Sequence, residues 1–239
     1  MREGTFSSRK GGGGDMQEEL FARIRADDLA EKAYGRLKRA ITMNAIQPGE
    51  RIDMNALLER WGVSRTPLKD AVARLEAEGL VTVKPKVGTF ATPITRQDML
   101  ELIRLRLLLE GGSCKEIAAH ATEAHRKALR ALLERLDEEM AKGADAFDFM
   151  RFNELDAAFH QTLVDAAGSR KLSEVYRSLN FHAQSARYNY DRFEERRALT
   201  KRDHYEMAEA LERRDAERLE AVVRRHIASG KDRLLSEGE

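Results

Sequence analysis

Four residues in the C-terminal half have the types and spacing of a metal shell. Asp156 and His160 are four apart, so on a helix their side chains reach one point. Phe152, Leu155, Phe159, Leu163 and Val164 fall on the same face. A carboxylate on such an apolar stripe is costly unless something offsets its charge. His204 is in register with Met207, Ala208 and Leu211, and His226 with Leu219, Val222 and Val223, so both are predicted to point inward from their own helices. One carboxylate oxygen and three imidazole nitrogens suit a divalent ion: zinc, nickel, manganese or iron. A single inward histidine is more often a packed core residue than a ligand, and both readings stay open. The coincidence of all four favours the metal. His120 and His125 border a helix break and are expected at the surface, whereas His182 is expected to pack in the ordinary way.

Arg106 and Glu110 form a second pair four apart, within a run of leucines. Two readings are open for it. One is an ion pair along a helix surface. The other is an arginine reaching into a cavity to bind a carboxylate.

The elements that would position these groups are helical. From residue 98 onward the apolar period is that of helices, interrupted near 120–122, 143–144, 168–169, 191–195 and 214–215. These breaks divide the segment into about six helices, enough for an antiparallel bundle. The helix predicted over Met99–His120 is apolar nearly all round, as befits one central in the bundle or shared with a second subunit. Gly111-Gly112 is expected to bend or interrupt it.

The N-terminal half has a different chemistry. A helix is predicted over Asp28–Asn44, with Ala30, Ala33, Tyr34, Leu37 and Ile41 inward. After Pro48-Gly49, Asp53 can cap a helix whose inner face is Met54, Leu57, Leu58 and Trp61. Gly62 supplies a tight turn, and Ser64 is placed to cap the next helix. There Leu68, Ala71, Val72 and Leu75 form an apolar back, opposite Thr66, Lys69, Asp70 and Ala73. Leu80–Val83 and Thr89–Thr92 read as strands joined by Lys84-Pro85-Lys86-Val87-Gly88. Helix, turn, helix and basic hairpin in that order make a winged helix-turn-helix, whose second helix suits a major groove. The expected contacts to double-stranded DNA are Ser64, Arg65, Thr66, Lys69, Arg74, Lys84, Lys86 and Gly88.

Composition agrees with this division. The chain has 239 residues, 42% hydrophobic and 35% charged, and its net charge is only +1. Residues 28–95 nevertheless hold eleven Lys and Arg against eight Asp and Glu. A basic excess in that segment suits a polyanionic partner. No apolar run reaches membrane-spanning length, and no secretory leader is expected. A single cysteine, Cys114, suits a reducing cytoplasm. Residues 1–19, with Gly11-Gly12-Gly13-Gly14, are expected to be disordered.

The N-terminal pattern resembles the GntR family of bacterial transcription regulators. The resemblance is carried by Gln47-Pro48-Gly49, Gly62-Val63-Ser64-Arg65-Thr66-Pro67, Arg74-Leu75-Glu76-Ala77-Glu78-Gly79-Leu80-Val81 and Gly88-Thr89. Where the family usually has Arg-Glu-Ala-Leu, this chain has Lys69-Asp70-Ala71-Val72. Lysine keeps the charge but loses the planar fork that grips guanine, so residue 69 is assigned to phosphate. Residues 98–232 resemble the FCD ligand-binding domain found behind GntR winged helices. That resemblance rests on Arg106-Leu107-Leu108-Leu109-Glu110, Leu155-Asp156-Ala157-Ala158-Phe159-His160, His204 within Asp203–Leu211, and Arg225-His226-Ile227. Gly111 replaces the proline usual after the Leu-Glu pair. The resemblance implies a dimeric all-helical sensor with an Asp-His-His-His metal site beside an organic-acid cavity, and Arg106 as effector contact.

The expected architecture is mainly α. A lead-in (1–27) precedes a winged helix-turn-helix (28–95) and an antiparallel all-helical bundle (96–239). The expected function is that of a cytoplasmic, homodimeric regulator, most simply a repressor, answering to a small carboxylate effector. Two other classes are open on the residues: a metalloenzyme fused to a DNA-binding domain, in which the metal activates water, and a pure metal sensor.

Overall fold

The computed structural model describes residues 27–142, 146–179, 184 and 197–236. The expected disordered tail, His182 and the breaks at 143–144 and 191–195 lie outside the described residues.

Helix α1 (Asp27–Thr42) buries Ala33, Leu37 and Ile41. Strand β1 (Arg51–Ile52) follows, then α2 (Met54–Trp61) and α3 (Arg65–Ala77). Asp53 caps α2 by accepting from the amides of Asn55 and Ala56, and Gly62 ends it in the left-handed conformation. Ser64 stands at the N-cap of α3, but its side chain makes no cap hydrogen bond. The expected cap is thus present in backbone position only. Leu68, Ala71, Val72 and Leu75 are buried, as their spacing predicts, and pack with Leu37, Ile41, Ile52, Leu80, Val81 and Ala91.

The wing is β2 (Val81–Lys84) and β3 (Gly88–Ala91), antiparallel in the register Val81↔Ala91 to Lys84↔Gly88. Strand β1 pairs with the other edge of β3, giving the order β1-β3-β2. Two residues carry no readable period, so β1 escapes a sequence reading.

Among the described residues the second half contains helices and no strand. Helix α4 (Arg96–Leu109) starts at a capping box formed by Thr95 and Asp98. A 3-10 turn at Gly111–Ser113 separates it from α5 (Cys114–His120). Then come α6 (Glu123–Ala141), α7 (Phe149–Asp165), α8 (Arg170–Ser178), α9 (Arg197–Glu212) and α10 (Ala216–Ser236). Among the described residues these are seven helices where about six are expected. The extra one arises because Gly111-Gly112 splits the long first helix rather than bending it. Helix α6 packs on α7, α9 on α10, and α10 on both α4 and α5. The core of the bundle contains Ile103, Ile117, Leu129, Leu136, Phe159, Leu163, Met207, Leu211, Leu219 and Val222. Among the described residues no helix is long and apolar enough to cross a membrane.

Candidate metal centre and nucleic-acid interface

Asp148 caps α7 by accepting from the amides of Met150 and Arg151. The helix then buries Phe152, Leu155, Phe159 and Leu163, and this rotation carries His160 to the inside and Asp156, 18% exposed, to its edge. Helices α9 and α10 bring His204 and His226 to the same place. His160 and His204 are almost wholly buried and His226 is 8% exposed. The three ring centroids lie 4.9 to 5.0 Å apart.

Each of the three histidines offers a nitrogen, and these atoms all lie within 4.8 Å of one another. His160 and His204 face each other through Nε2 at 3.2 Å. Asp156 Oδ1 lies 3.3 Å from His204 Nε2 and 4.0 Å from His160 Nε2. Bonds of ~2.0–2.1 Å to a tetrahedral ion place ligand atoms about 3.3 Å apart. Two of the separations match that edge and the others, at 4.0 Å and up to 4.8 Å, are wider, so the donors fit a divalent cation in type and would draw together around it. Burial pushes His160 down to about 4 against the opposing pull of Glu110. The imidazole is therefore neutral near pH 7, the form that binds a metal.

A buried polar chain stands behind His160. Its Nδ1 lies 2.8 Å from Glu110 Oε2. Tyr176 donates its hydroxyl to Glu110 Oε1 at 2.7 Å. Arg106 donates to Glu110 through Nε and, at 3.1 Å, through Nη2. Burial alone would raise the Glu110 carboxyl, but Arg106 and His160 hold it well below the usual carboxylate range. Arg106 is itself only 4% exposed, so the pair is not a helix-surface one. Arg106 lies close enough to Asp156 for that carboxylate to help hold its proton. Behind His226, Nδ1 faces Asp203 Oδ2 at 3.6 Å. Asp203 Oδ1 accepts from Arg225 at 2.7 Å and from Arg202 at 3.0 Å. Burial opposes ionisation of Asp203, but His226, Arg225 and Arg202 together hold it well below the usual range. His204 stacks on Phe159, with centroids 4.4 Å apart and planes at 21°.

Cys114 is buried, and burial pushes its thiol up to about 12. It is a packed side chain rather than a nucleophile.

On the other half of the chain, α3 exposes Ser64, Arg65, Thr66, Lys69 and Arg74 opposite its buried face. Arg74 is turned back onto α1, where it pairs with Glu31 at 2.7 Å and lies 3.7 Å over the Tyr34 ring. At the wing, Lys86 takes φ +63° in an exposed turn, and the Lys84 ammonium lies 5.0 Å over Phe90. A groove of about 460 Å³ runs between α2, α3 and the wing, lined by Met54, Leu58, Arg65, Lys69, Val83 and Thr89 among others.

Gly88 has a specific reason to be glycine. Its φ is +151°, and a Cβ there would stand 2.9 Å from Arg51 Nε. Arg51 thus lies along the wing, on the face of β1 opposite buried Ile52. Sequence reasoning missed this cation because β1 is too short to see. Asp203 and Tyr176 were missed for another reason: their partners lie on other helices. The dipeptides Asp203-His204 and Arg225-His226 were the available signal.

The protein families give the same division. The family described as bacterial regulatory proteins, gntR family, matches residues 29–91, and the FCD domain matches residues 101–229. The HTH-type transcriptional regulator YdhC of Bacillus subtilis is 30% identical over 147 residues, covering 62% of this chain and 64% of that protein. The Nta operon transcriptional regulator of Aminobacter aminovorans is 31% identical over 142 residues, covering 59% and 65%. The chain thus spans a little under two thirds of the length of these two relatives. Among solved structures, Escherichia coli McbR/YncC has a TM-score of 0.68 at 20% identity, covering 88% of this chain and 99% of that one. A GntR regulator from Rhodococcus sp. RHA1 gives 0.69 at 20% identity with the same coverage. At that identity the two structures speak for the fold alone. The winged helix, the bundle behind it and the matches to both families lead to one assignment: the chain belongs to the GntR family of bacterial transcription regulators, in its FCD-domain branch.

Proposed function

We propose that this chain is a cytoplasmic DNA-binding transcription regulator, most simply a repressor, whose operator affinity is set by a small organic acid bound beside a divalent metal ion. The observation that carries this reading is the convergence of His160, His204 and His226 with Asp156, from three helices, in a bundle attached to a winged helix. The ion would be held by these four side chains. When bound, it supplies an electrophilic centre with room for a carboxylate, since four ligands leave one or two positions on a five- or six-coordinate metal. Arg106 is the proposed second cation for the effector, a role in which its guanidinium would have to be shared with Glu110, its partner in this structure.

On DNA, Ser64, Arg65, Thr66 and Lys69 are the proposed contacts of α3, with Lys84, Lys86 and the Gly88 backbone on the wing. Arg74 is a flanking contact in this scheme only if it leaves Glu31 and Tyr34 of α1, which hold it in this structure. Arg51 joins the set, because its guanidinium lies along the wing beside Gly88. A homodimer would set two winged helices on a near-palindromic operator. Leu105 and Leu108 support it, being large apolar side chains 41% and 70% exposed on helix α4.

The test is a thermal-shift screen of small organic acids against the purified protein, with and without chelator, alongside metal analysis. Stabilisation by a carboxylate that disappears with the metal supports the reading. A metal that switches DNA binding with no acid present would make the protein a metal sensor instead.

A further inference from the structure

Two carboxylates stand directly behind the candidate ligands, on the side away from their shared centre. Glu110 follows the last turn of α4, and Asp203 lies on α9 beside His204. We propose that Glu110 and Asp203 are positioning residues: each holds the Nδ1–H of one histidine, His160 or His226, so that both rings present Nε2 to a divalent ion. This rests on the metal reading of the same site.

An ionised carboxylate can only accept hydrogen bonds. With Oε2 of Glu110 2.8 Å from His160 Nδ1, the hydrogen of the neutral ring belongs on Nδ1. The Nε2 lone pair is then left facing His204 and Asp156. Glu110 itself cannot turn away. Its oxygens are held by Arg106 from α4, Tyr176 from α8 and His160 from α7. Asp203 takes a similar place from a second helix, but at 3.6 Å it must close by a few tenths of an ångström before it accepts from the His226 ring. Arg202 and Arg225 occupy Oδ1, which leaves Oδ2 toward His226 Nδ1 at 3.6 Å. His204, the third ring, is oriented by its stacking on Phe159. Each of the three rings is thus set by a different element before any ion arrives.

The arginines add a second consequence. Arg106 offsets Glu110, while Arg202 and Arg225 offset Asp203. Neither outer carboxylate therefore cancels the charge of the ion. With Asp156 as its one anionic ligand, a divalent ion keeps a net positive charge, which favours an anion in the open position.

Carboxylates behind metal-bound histidines typically contribute 10- to 100-fold in metal affinity. The experiment uses the full chain with cobalt(II) and zinc(II) as probes, in wild type, Glu110→Gln and Asp203→Asn. Glutamine and asparagine keep an acceptor oxygen and most of the shape, although Glu110→Gln also leaves buried Arg106 without its carboxylate, so the fold of each variant is checked first by circular dichroism. The expected result is one cobalt per chain in all three proteins, bound about ten-fold more weakly in each variant, with an altered visible spectrum. Nitrogen-15 shifts of the zinc-loaded wild type should show His160 and His226 bound through Nε2 and protonated at Nδ1. Undiminished affinity in both variants, or His160 bound through Nδ1, would overturn the inference while leaving the metal centre intact. A wild type that takes up neither ion would remove the metal reading and this role together.

Discussion

At the scale of single residues, the proposed metal centre turns on His204. Its ring is stacked on Phe159, and its Nε2 faces both Asp156 and His160. Replacing it with alanine removes one ligand and leaves Asp156 and His160 without the geometry that shares an ion. His204→Ala is predicted to purify with far less than one metal per chain and to melt at the same temperature with or without chelator. Metal analysis and calorimetry check this; a fully loaded variant would return His204 to the core residues. The four candidate ligands were legible in the sequence because each is fixed within its own helix by a 3.6-residue period. Asp203 and Tyr176 were not legible. Whether Asp203 meets His226, or Tyr176 meets Glu110, depends on how two helices are rotated against each other, and no period within one helix encodes that. Arg106–Glu110 shows the same limit. Spacing gave the pair, but only packing decides that it is buried and turned toward His160.

At the scale of elements, α3 and the wing should divide their work between base and phosphate. If Arg65 grips a base edge in two bonds, Arg65→Ala should cost roughly 1–3 kcal/mol on the preferred site. Lys69→Ala should instead weaken all duplexes alike and lower the slope of log affinity against log salt by about one. Unequal loss across sequences for Lys69→Ala would make residue 69 a base reader. Arg51→Ala should behave like Lys69→Ala, since the Arg51 guanidinium lies along the wing beside Gly88. An unchanged salt slope would confine Arg51 to packing against Gly88. Helices α1 to α3 and the hairpin were readable from apolar period and turn residues. Two details were not. Ser64 has the residue type of a cap yet makes no cap bond, because residue type encodes the preference and local geometry decides the contact. Strand β1 is formed by pairing with β3, a long-range event invisible in two residues. Gly111-Gly112 carried its signal openly, as a weak point in a long helix, and the chain turns there.

At the scale of the whole molecule, sensing requires that the bundle act on the winged helix. One physical link is present. Arg39 of α1 holds both carboxylate oxygens of Asp148, at 2.9 and 3.0 Å, and Asp148 is the cap of the helix that carries Asp156 and His160. The pair is half-exposed, and a second contact joins the halves where Gln184 donates to the Gly79 carbonyl at 3.1 Å, so a displacement of α7 has a route, though not a rigid one, to the DNA-binding half. The second requirement is pairing of two copies. Helix α4 leaves Leu105 and Leu108 exposed on the face opposite Ile103 and Arg106. The double variant Leu105→Glu/Leu108→Glu is predicted to sediment as a monomer at micromolar concentration and to lose most of its affinity for a two-half-site operator. An unchanged dimer would move the interface to another face. The most direct test of the central claim compares wild type with His204→Ala on one operator, selected by the wild type from random duplex DNA. Operator affinity is measured with and without an organic acid from the thermal-shift screen, before and after chelation. The account predicts that the acid shifts wild-type affinity only when the metal is present, whereas His204→Ala binds the operator but does not respond. A metal-free wild type that answers the acid as strongly as the loaded protein would contradict it.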